Sequence, residues 1–226
     1  MAVGYELKPA GKASGQVQAP VSFGRRRLAR TVKRWIDFLG SLCLLIVVAP
    51  LFPVIALAIC LDSPGPIFFR PRIIGYRGRE FLAYKFRSMR ANAFEELLNN
   101  KSLLEQYKQN LKIVGDPRVT RVGRWLRITS LDELPQLINV LKGEMSLVGP
   151  RMLAELELQK FGDSREQILS VRPGMAGLWV ASGRQMLTFE RRMELELEYI
   201  NHWSLWLDAK CFVKTVIIAL RMVGAH

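Results

Sequence analysis

Residues 129–151 read Thr-Ser-Leu-Asp-Glu-Leu-Pro-Gln-Leu-Ile-Asn-Val-Leu-Lys-Gly-Glu-Met-Ser-Leu-Val-Gly-Pro-Arg. Two adjacent carboxylates, Asp132 and Glu133, precede an apolar run, and a Gly149-Pro150-Arg151 turn follows it. Arginines lie on both sides, at Arg124, Arg127 and Arg151. Carboxylates among guanidiniums suit a place where a phosphate and a divalent cation meet, since the cation takes carboxylate oxygens and the guanidiniums take phosphate oxygens. A purely structural reading competes. Ser130-x-x-Glu133 is a good capping box, and acidic residues in a first helical turn suit the helix dipole without any chemistry. Capping alone, however, makes no demand for Gly149-Pro150-Arg151 downstream.

Upstream, residues 25–34 are basic and residues 38–61 carry no charged side chain. A straight helix over that apolar run would cover roughly 36 Å, enough to cross a bilayer. Pro50 and Pro53 fall at its middle, where proline removes a backbone donor and bends a helix. The far flank is basic as well, with Arg70, Arg72, Arg77 and Arg79. Basic flanks stay on the cytoplasmic face, so neither end should translocate. A helix that enters, breaks near Ala49-Pro50 and leaves on the same side satisfies both facts; a bitopic span and a buried core helix are the alternatives.

Residues 1–24 are rich in Gly, Ala, Gln, Ser and Pro and read as a disordered tail, without the pattern of a signal peptide. The chain therefore divides into a tail (1–24), a basic and then apolar segment expected to enter the membrane (25–61) and a body expected on the cytoplasmic face (62–226). Past the apolar run, Ile73–Tyr76 and Glu80–Phe86 look like short strands around Arg77-Gly78. Residues 91–114, 153–160 and 190–201 look helical, giving an α/β chain, mostly helical with short strands. Arginine recurs at 118, 121, 124 and 127, which suits a solvated or lipid-facing band. Residues 203–220 suit an amphipathic helix, either in the membrane interface or against the core.

The 226 residues carry a net charge of +13, which calls for an anionic partner: phosphate ligands, an anionic membrane or nucleic acid. No DNA or RNA motif is present, so nucleic acid is not expected. Cys43, Cys60 and Cys211 form neither a CxxC pair nor a disulfide ladder, as in a reduced compartment. His202 and His226 are too isolated for a zinc site.

The stretch from Arg124 to Arg151 resembles the signature of the bacterial sugar transferases, the monotopic polyprenyl-phosphate phosphoglycosyl transferases that begin exopolysaccharide and glycoconjugate assembly. Further matching positions are Lys33, Arg34 and Asp37, then Tyr84-Lys-Phe-Arg-Ser-Met89, Val171-Arg-Pro-Gly174, Gly177-Leu-Trp179 and Ser182-Gly-Arg184. The resemblance covers roughly residues 30–224. It implies an anchor made of a broken re-entrant helix in the bacterial inner membrane.

By the same resemblance, Asp132 is the nucleophile and Glu133 the ligand of Mg²⁺. Lys85, Arg87, Arg127, Arg151 and Arg184 contact substrate. The implied reaction moves a hexose phosphate, of glucose or galactose, from a UDP-sugar to polyprenyl phosphate and releases UMP. Nearby guanidiniums should keep the pKa of Asp132 low. Membrane lipid is an expected partner, and a homo-oligomer is left open. Three positions depart from the family pattern: Pro71, Met152 after the Gly-Pro-Arg turn, and Val180 after Leu-Trp. A catalytically silent membrane adaptor of the same fold is the rival reading.

Overall fold

The computed structural model describes residues 27–110, 113, 115–182 and 187–221, so the tail read at 1–24 lies outside the described residues. Helix α1 (Arg27–Val48) and helix α2 (Leu51–Asp62) are bent by 61° relative to each other. The break falls at Ala49-Pro50, the site expected from the sequence. Pro50 is the N-cap of α2, and the amide of Phe52 bonds the Ala49 carbonyl at 3.1 Å. Pro53 lies in the first turn of α2, where a missing N–H costs no intrahelical bond. Only one of the two prolines therefore bends the chain. No single described helix is long and apolar enough to cross a membrane, and only the bent pair passes that test together.

The catalytic body holds three two-stranded ladders. Strand β1 (Phe68–Phe69) pairs antiparallel with β4 (Lys85–Phe86), and β2 (Arg72–Ile74) pairs antiparallel with β3 (Glu80–Leu82). Arg77, between β2 and β3, takes a left-handed conformation at φ 58° within a 3-10 turn, Tyr76–Gly78, so the first expected strand ends at Ile74; the second starts at Glu80 as expected and is split into β3 and β4. Helices α3 (Ala93–Asn99), α4 (Lys101–Asn110) and α5 (Arg121–Thr129) follow. A 3-10 segment, Leu131–Gln136, then leads into α6 (Leu137–Lys142). Strand β5 (Ser146–Val148) runs parallel to β6 (Gly174–Ala176), with α7 (Glu155–Gln159) and α8 (Arg165–Ile168) in the crossover. The chain closes with α9 (Leu178–Ala181), α10 (Phe189–Asn201) and α11 (Leu205–Arg221).

Two apolar clusters hold this together. The larger joins Phe81, Leu137, Val140, Met145, Leu158, Tyr199, Ile200 and Cys211 among others. The smaller, Ile55, Ile59, Phe86 and Leu126, lies where α2 meets β4 and α5. Met152 and Val180 are both buried, and Met152 is part of the larger cluster. These departures therefore adjust packing rather than expose new groups. Arg118 corrects the expected arginine band: it is buried and bonds both oxygens of Asp116 and the Ala93 carbonyl. The terminal helix α11 packs one face against the core, burying Asp208 and Cys211, and exposes Trp206, Val213, Val216 and Ile217.

The bent pair is fastened at both ends. Near its start, Lys33 Nζ donates to Asp208 Oδ2 at 2.7 Å and to the Val148 carbonyl at 2.9 Å. The same carboxylate accepts Tyr199 Oη at 2.6 Å and Trp203 Nε1 at 3.1 Å. Asp37 accepts Ser146 Oγ and the Leu147 amide. At the other end, Asp62 Oδ2 accepts the Val122 amide at 3.0 Å, supplying a missing acceptor in the first turn of α5. Removing one partner from a buried pair leaves the other charge uncompensated, so Asp208→Ala should cost about 3 kcal/mol. Chemical denaturation of detergent-solubilised protein checks this; a loss below about 0.5 kcal/mol, the range of ordinary surface changes, would contradict the hub.

Candidate active site

The segment carrying Asp132 and Glu133 is a tight 3-10 turn rather than the start of an α-helix. Ser130 adopts φ 59° and its side chain caps no helix amide, so the capping box expected from the sequence is not formed. The amide of Glu133 bonds the Ser130 carbonyl instead, at 3.2 Å. With Pro135 inside it, this turn packs against β4 and α5. Asn139 sets the register: its Oδ1 accepts the Tyr84 amide and its Nδ2 donates to the Leu82 carbonyl, both at 2.9 Å. That pairing brings the strand bearing Lys85 alongside the carboxylates.

Lys85 Nζ lies 2.8 Å from Glu133 Oε1. Asp132 is buried, and the charges acting on it are Glu133, Lys85 and Arg127. Arg127 is held by its Nε, which donates to Ser88 Oγ at 2.9 Å. Ser88 in turn packs under Gly123, where any Cβ would collide with the Ser88 carbonyl. Burial first, and the Glu133 charge second, push the Asp132 carboxyl up to about 6, while Lys85 and Arg127 pull it down. The expectation of a low pKa is thus reversed: desolvation outweighs the two cations. The group still ionises at neutral pH.

The remaining predicted residues divide. Arg87 is buried and donates to the carbonyls of Ser63 (2.6 Å) and Pro64, in the turn that leaves α2. It acts as a strut between the bent pair and β4 instead of facing a ligand. Arg151 belongs to a second group of charges. Its backbone amide bonds Glu196 Oε1 at 2.9 Å, and its guanidinium lies 3.3 Å from Glu157 and over the Trp179 ring. Arg192 joins the same Glu157 at 3.5 Å and the same ring. Electrostatic reach connects the two groups: Arg127 feels Asp116 and Arg118, and Tyr107 feels Arg118 together with Glu157 and Arg151. Arg184 lies outside the described residues.

Ser88, Arg192 and Glu196 were missed in the sequence: Ser88 stands inside the Tyr84–Met89 stretch but was given no role, Arg192 and Glu196 stand in no motif, and each is recognised only through partners distant in the chain. Glu196 is fully enclosed, and burial pushes it up to about 8. Its Oε2 has no hydrogen-bond partner.

No cluster of three or more metal-ligating side chains exists among the described residues. A two-carboxylate site is compatible with Mg²⁺ all the same, because that ion keeps several waters and takes phosphate oxygens for most of its shell. Glu133 is the more exposed of the two carboxylates.

With that geometry in hand, the comparisons with known proteins become informative. The bacterial sugar transferase family model matches residues 28–222. An undecaprenyl-phosphate galactose phosphotransferase of Salmonella typhimurium is 40% identical over 205 residues, covering 89% of this chain and 43% of that protein. The UDP-glucose:undecaprenyl-phosphate glucose-1-phosphate transferase of Escherichia coli is 40% identical over 195 residues, covering 83% and 40%. The exopolysaccharide production protein ExoY of Sinorhizobium fredii is 39% identical over 188 residues, covering 81% and 83%. The chain belongs to the bacterial sugar transferase family. It spans less than half the length of the first two relatives and most of the third.

Two measurements follow from the buried acids. A carboxyl-carbon NMR titration of the ligand-free protein should give Asp132 a midpoint near 6, and Lys85→Met, by removing a cation that lowers it, should move that midpoint upward. A midpoint near the ordinary value of about 4 would refute the burial argument. For Glu196, the folded form keeps a proton that the unfolded chain releases near its ordinary value of 4.5. Its contribution to stability is therefore full in acid and is lost as pH rises toward about 8. Thermal stability should drop over that range, and Glu196→Gln, which mimics the protonated acid, should flatten the drop. An unchanged slope in that variant would show that Glu196 is not its source.

Proposed function

We propose that this protein transfers a sugar 1-phosphate from a UDP-sugar to polyprenyl phosphate at the cytoplasmic face of the bacterial inner membrane. The observation that carries the reading is the buried carboxylate of Asp132 set between Lys85 and Arg127, in a chain whose relatives are named as undecaprenyl-phosphate sugar phosphotransferases.

The Asp132 carboxylate attacks the phosphorus that carries the sugar. The bond from that phosphorus to the bridging oxygen breaks, and the electron pair leaves with UMP. An acyl phosphate joining Asp132 to the sugar phosphate remains. An oxygen of polyprenyl phosphate then attacks the same phosphorus, and the carboxylate departs as it was. Splitting one transfer into two displacements is the usual gain from a covalent intermediate. Glu133 would hold Mg²⁺, which would supply charge neutralisation at the diphosphate. Lys85 and Arg127 offer donors to the phosphoryl oxygens, and Arg151 with Arg192 extends the cationic surface toward the rest of the donor. A pKa near 6 suits the nucleophile, since it stays ionised at pH 7 while keeping basicity.

Anchoring follows from the solubility of the two substrates, one in water and one in lipid. Along the bent pair Trp35, Ile36, Leu39, Ile46, Val47, Val54, Leu57 and Leu61 are all exposed, an apolar surface larger than a water-facing helix tolerates. We read the pair as a monotopic re-entrant hairpin. The rival reading, a silent adaptor, gains nothing from Met152 and Val180, because both sit in the interior.

UMP release by detergent-solubilised protein given polyprenyl phosphate, Mg²⁺ and a panel of UDP-sugars is the test. Asp132→Asn should lower turnover by at least about a thousandfold with folding retained, and Glu133→Gln should raise the Mg²⁺ requirement. Turnover by Asp132→Asn near the parental rate would remove Asp132 from the role. Single cysteines near Arg25 and Arg79, in a background without the native three, should label from the same side of the membrane.

A further inference from the structure

A cavity of about 70 Å³ lies where the start of α1 meets the catalytic body. Its charged lining is Arg30, Lys33, Arg34, Arg172 and Asp37, with Tyr76 and Ser170 beside them. Arg30, Lys33, Arg34 and Asp37 stand at helical spacing on one face of α1, just before the uncharged run begins. Lys33 is paired with Asp208, leaving three guanidiniums against one carboxylate. Asp37 is itself engaged by Ser146 and Leu147. None of the three arginines forms a salt bridge among the described residues.

Part of this charge has a structural use. Arg34 donates to the carbonyls of Val140 (2.7 Å) and Leu141 (2.9 Å), and Arg172 Nε donates to Gly143 at 2.7 Å, so both close the C-terminal end of α6. Neutral carbonyls satisfy hydrogen bonds but leave the charge in place. The two guanidiniums act on each other as like charges, and that repulsion would be relieved by an anion between them. Arg172 also lies over the Tyr76 ring, its Cζ 5.3 Å from the centroid, and both residues line the cavity. Arg30 has no fixing bond of this kind in the structure.

The cavity is separate from the proposed active site. None of Lys85, Ser88, Arg127, Asp132 and Glu133 lines it. An opening lined by three unpaired guanidiniums, at the level where a helix passes from charged to apolar, matches the phosphate of a lipid headgroup. We infer that this cavity binds the phosphate of an anionic phospholipid of the leaflet in which the protein sits, through Arg30, Arg34 and Arg172. The inference rests on the membrane-anchored reading given above. Its consequence is a fixed depth and rotation of the catalytic body on an anionic surface, set by a lipid that is neither donor nor acceptor.

The test uses the full chain reconstituted in nanodiscs of phosphatidylcholine alone or mixed with phosphatidylglycerol, followed by native mass spectrometry of the released protein. Phosphatidylglycerol should be retained in preference to phosphatidylcholine at one molecule per chain. Arg30→Glu should abolish the preference, and Arg172→Lys, which keeps charge but loses the planar fork, should reduce it roughly fivefold. The Arg30 side chain makes no hydrogen bond or salt bridge among the described residues, so its variant should keep the parental melting temperature. Equal retention of both lipids, or a preference untouched by Arg30→Glu, would overturn the proposal. Inorganic phosphate is the control for source: displacement of phosphatidylglycerol by it would mark a soluble-phosphate site and refute the lipid assignment. Flotation with phosphatidylcholine vesicles separates the two readings. Failure to float removes the anchor, whereas flotation without lipid preference removes only the headgroup site.

Discussion

Asp208 and Asp62 fasten the two ends of the bent helix pair to the catalytic body, and the geometry around Asp132 follows from those attachments. Asp208 gathers Lys33, Tyr199 and Trp203 onto one carboxylate, with the Val148 carbonyl shared by Lys33 and Tyr199. Asp62 holds the first turn of α5, the helix that delivers Arg127. Arg87 grips the next two carbonyls and so ties the strand of Lys85 to the same exit. Both cations beside Asp132 are therefore positioned from the end of the apolar hairpin. A change in how the bent pair sits would be felt at the carboxylate through two short paths, each crossing from the end of α2 by hydrogen bonds, at Asp62 and at Arg87.

Around Asp132 the decisive comparison is between burial and neighbouring charge. Two cations would ordinarily hold a carboxyl below its usual range, but here removal from water and an adjacent glutamate win. With the midpoint near 6, roughly nine in ten molecules carry the ionised form at pH 7. Such a group is a stronger base than an exposed aspartate and is still available to attack. Lys85 cannot neutralise it fully, because its ammonium sits at 2.8 Å from Glu133. The paired carboxylates thus have unequal environments, one buried and one partly open, which is how two like residues come to play different parts.

Much of this was legible in the chain itself. The break at Ala49-Pro50 was readable because proline removes a donor wherever it falls, and both flanks carried charge. The acidic pair, the Gly-Pro-Arg turn and the helices at 155–159 and 189–201 were legible from pattern. The family followed from motif length, which local propensity cannot mimic. Three features were not. Ser130 at positive φ converts an expected helix start into a 3-10 turn, a choice made by packing against β4 and α5. Arg87 reads like Lys85 two residues before it, yet its position sends it inward to carbonyls. Glu196 looks like one more charge on a charged helix, and only its enclosure shows that it holds a proton.

The surplus of positive charge gains meaning once it is divided among its partners. Arg118 is bound by Asp116 and Lys33 by Asp208, so those charges are balanced inside the molecule. Arg87 donates to carbonyls through Nη1 and Nη2 while its buried Nε is left without a hydrogen-bond partner, and its charge is not cancelled. Beside the carboxylates of the proposed active site Arg127 bonds Ser88 and no carboxylate, and around the start of the bent pair Arg30, Arg34 and Arg172 form no salt bridge among the described residues. In the reading proposed above, the first place would meet the diphosphate of a soluble donor, and the second a lipid headgroup outside the reaction. A nucleic-acid binder would need its charge spread along a groove, and an ordinary basic surface would show no such division. Net charge alone leaves those readings equal; the partners of individual arginines and lysines separate them.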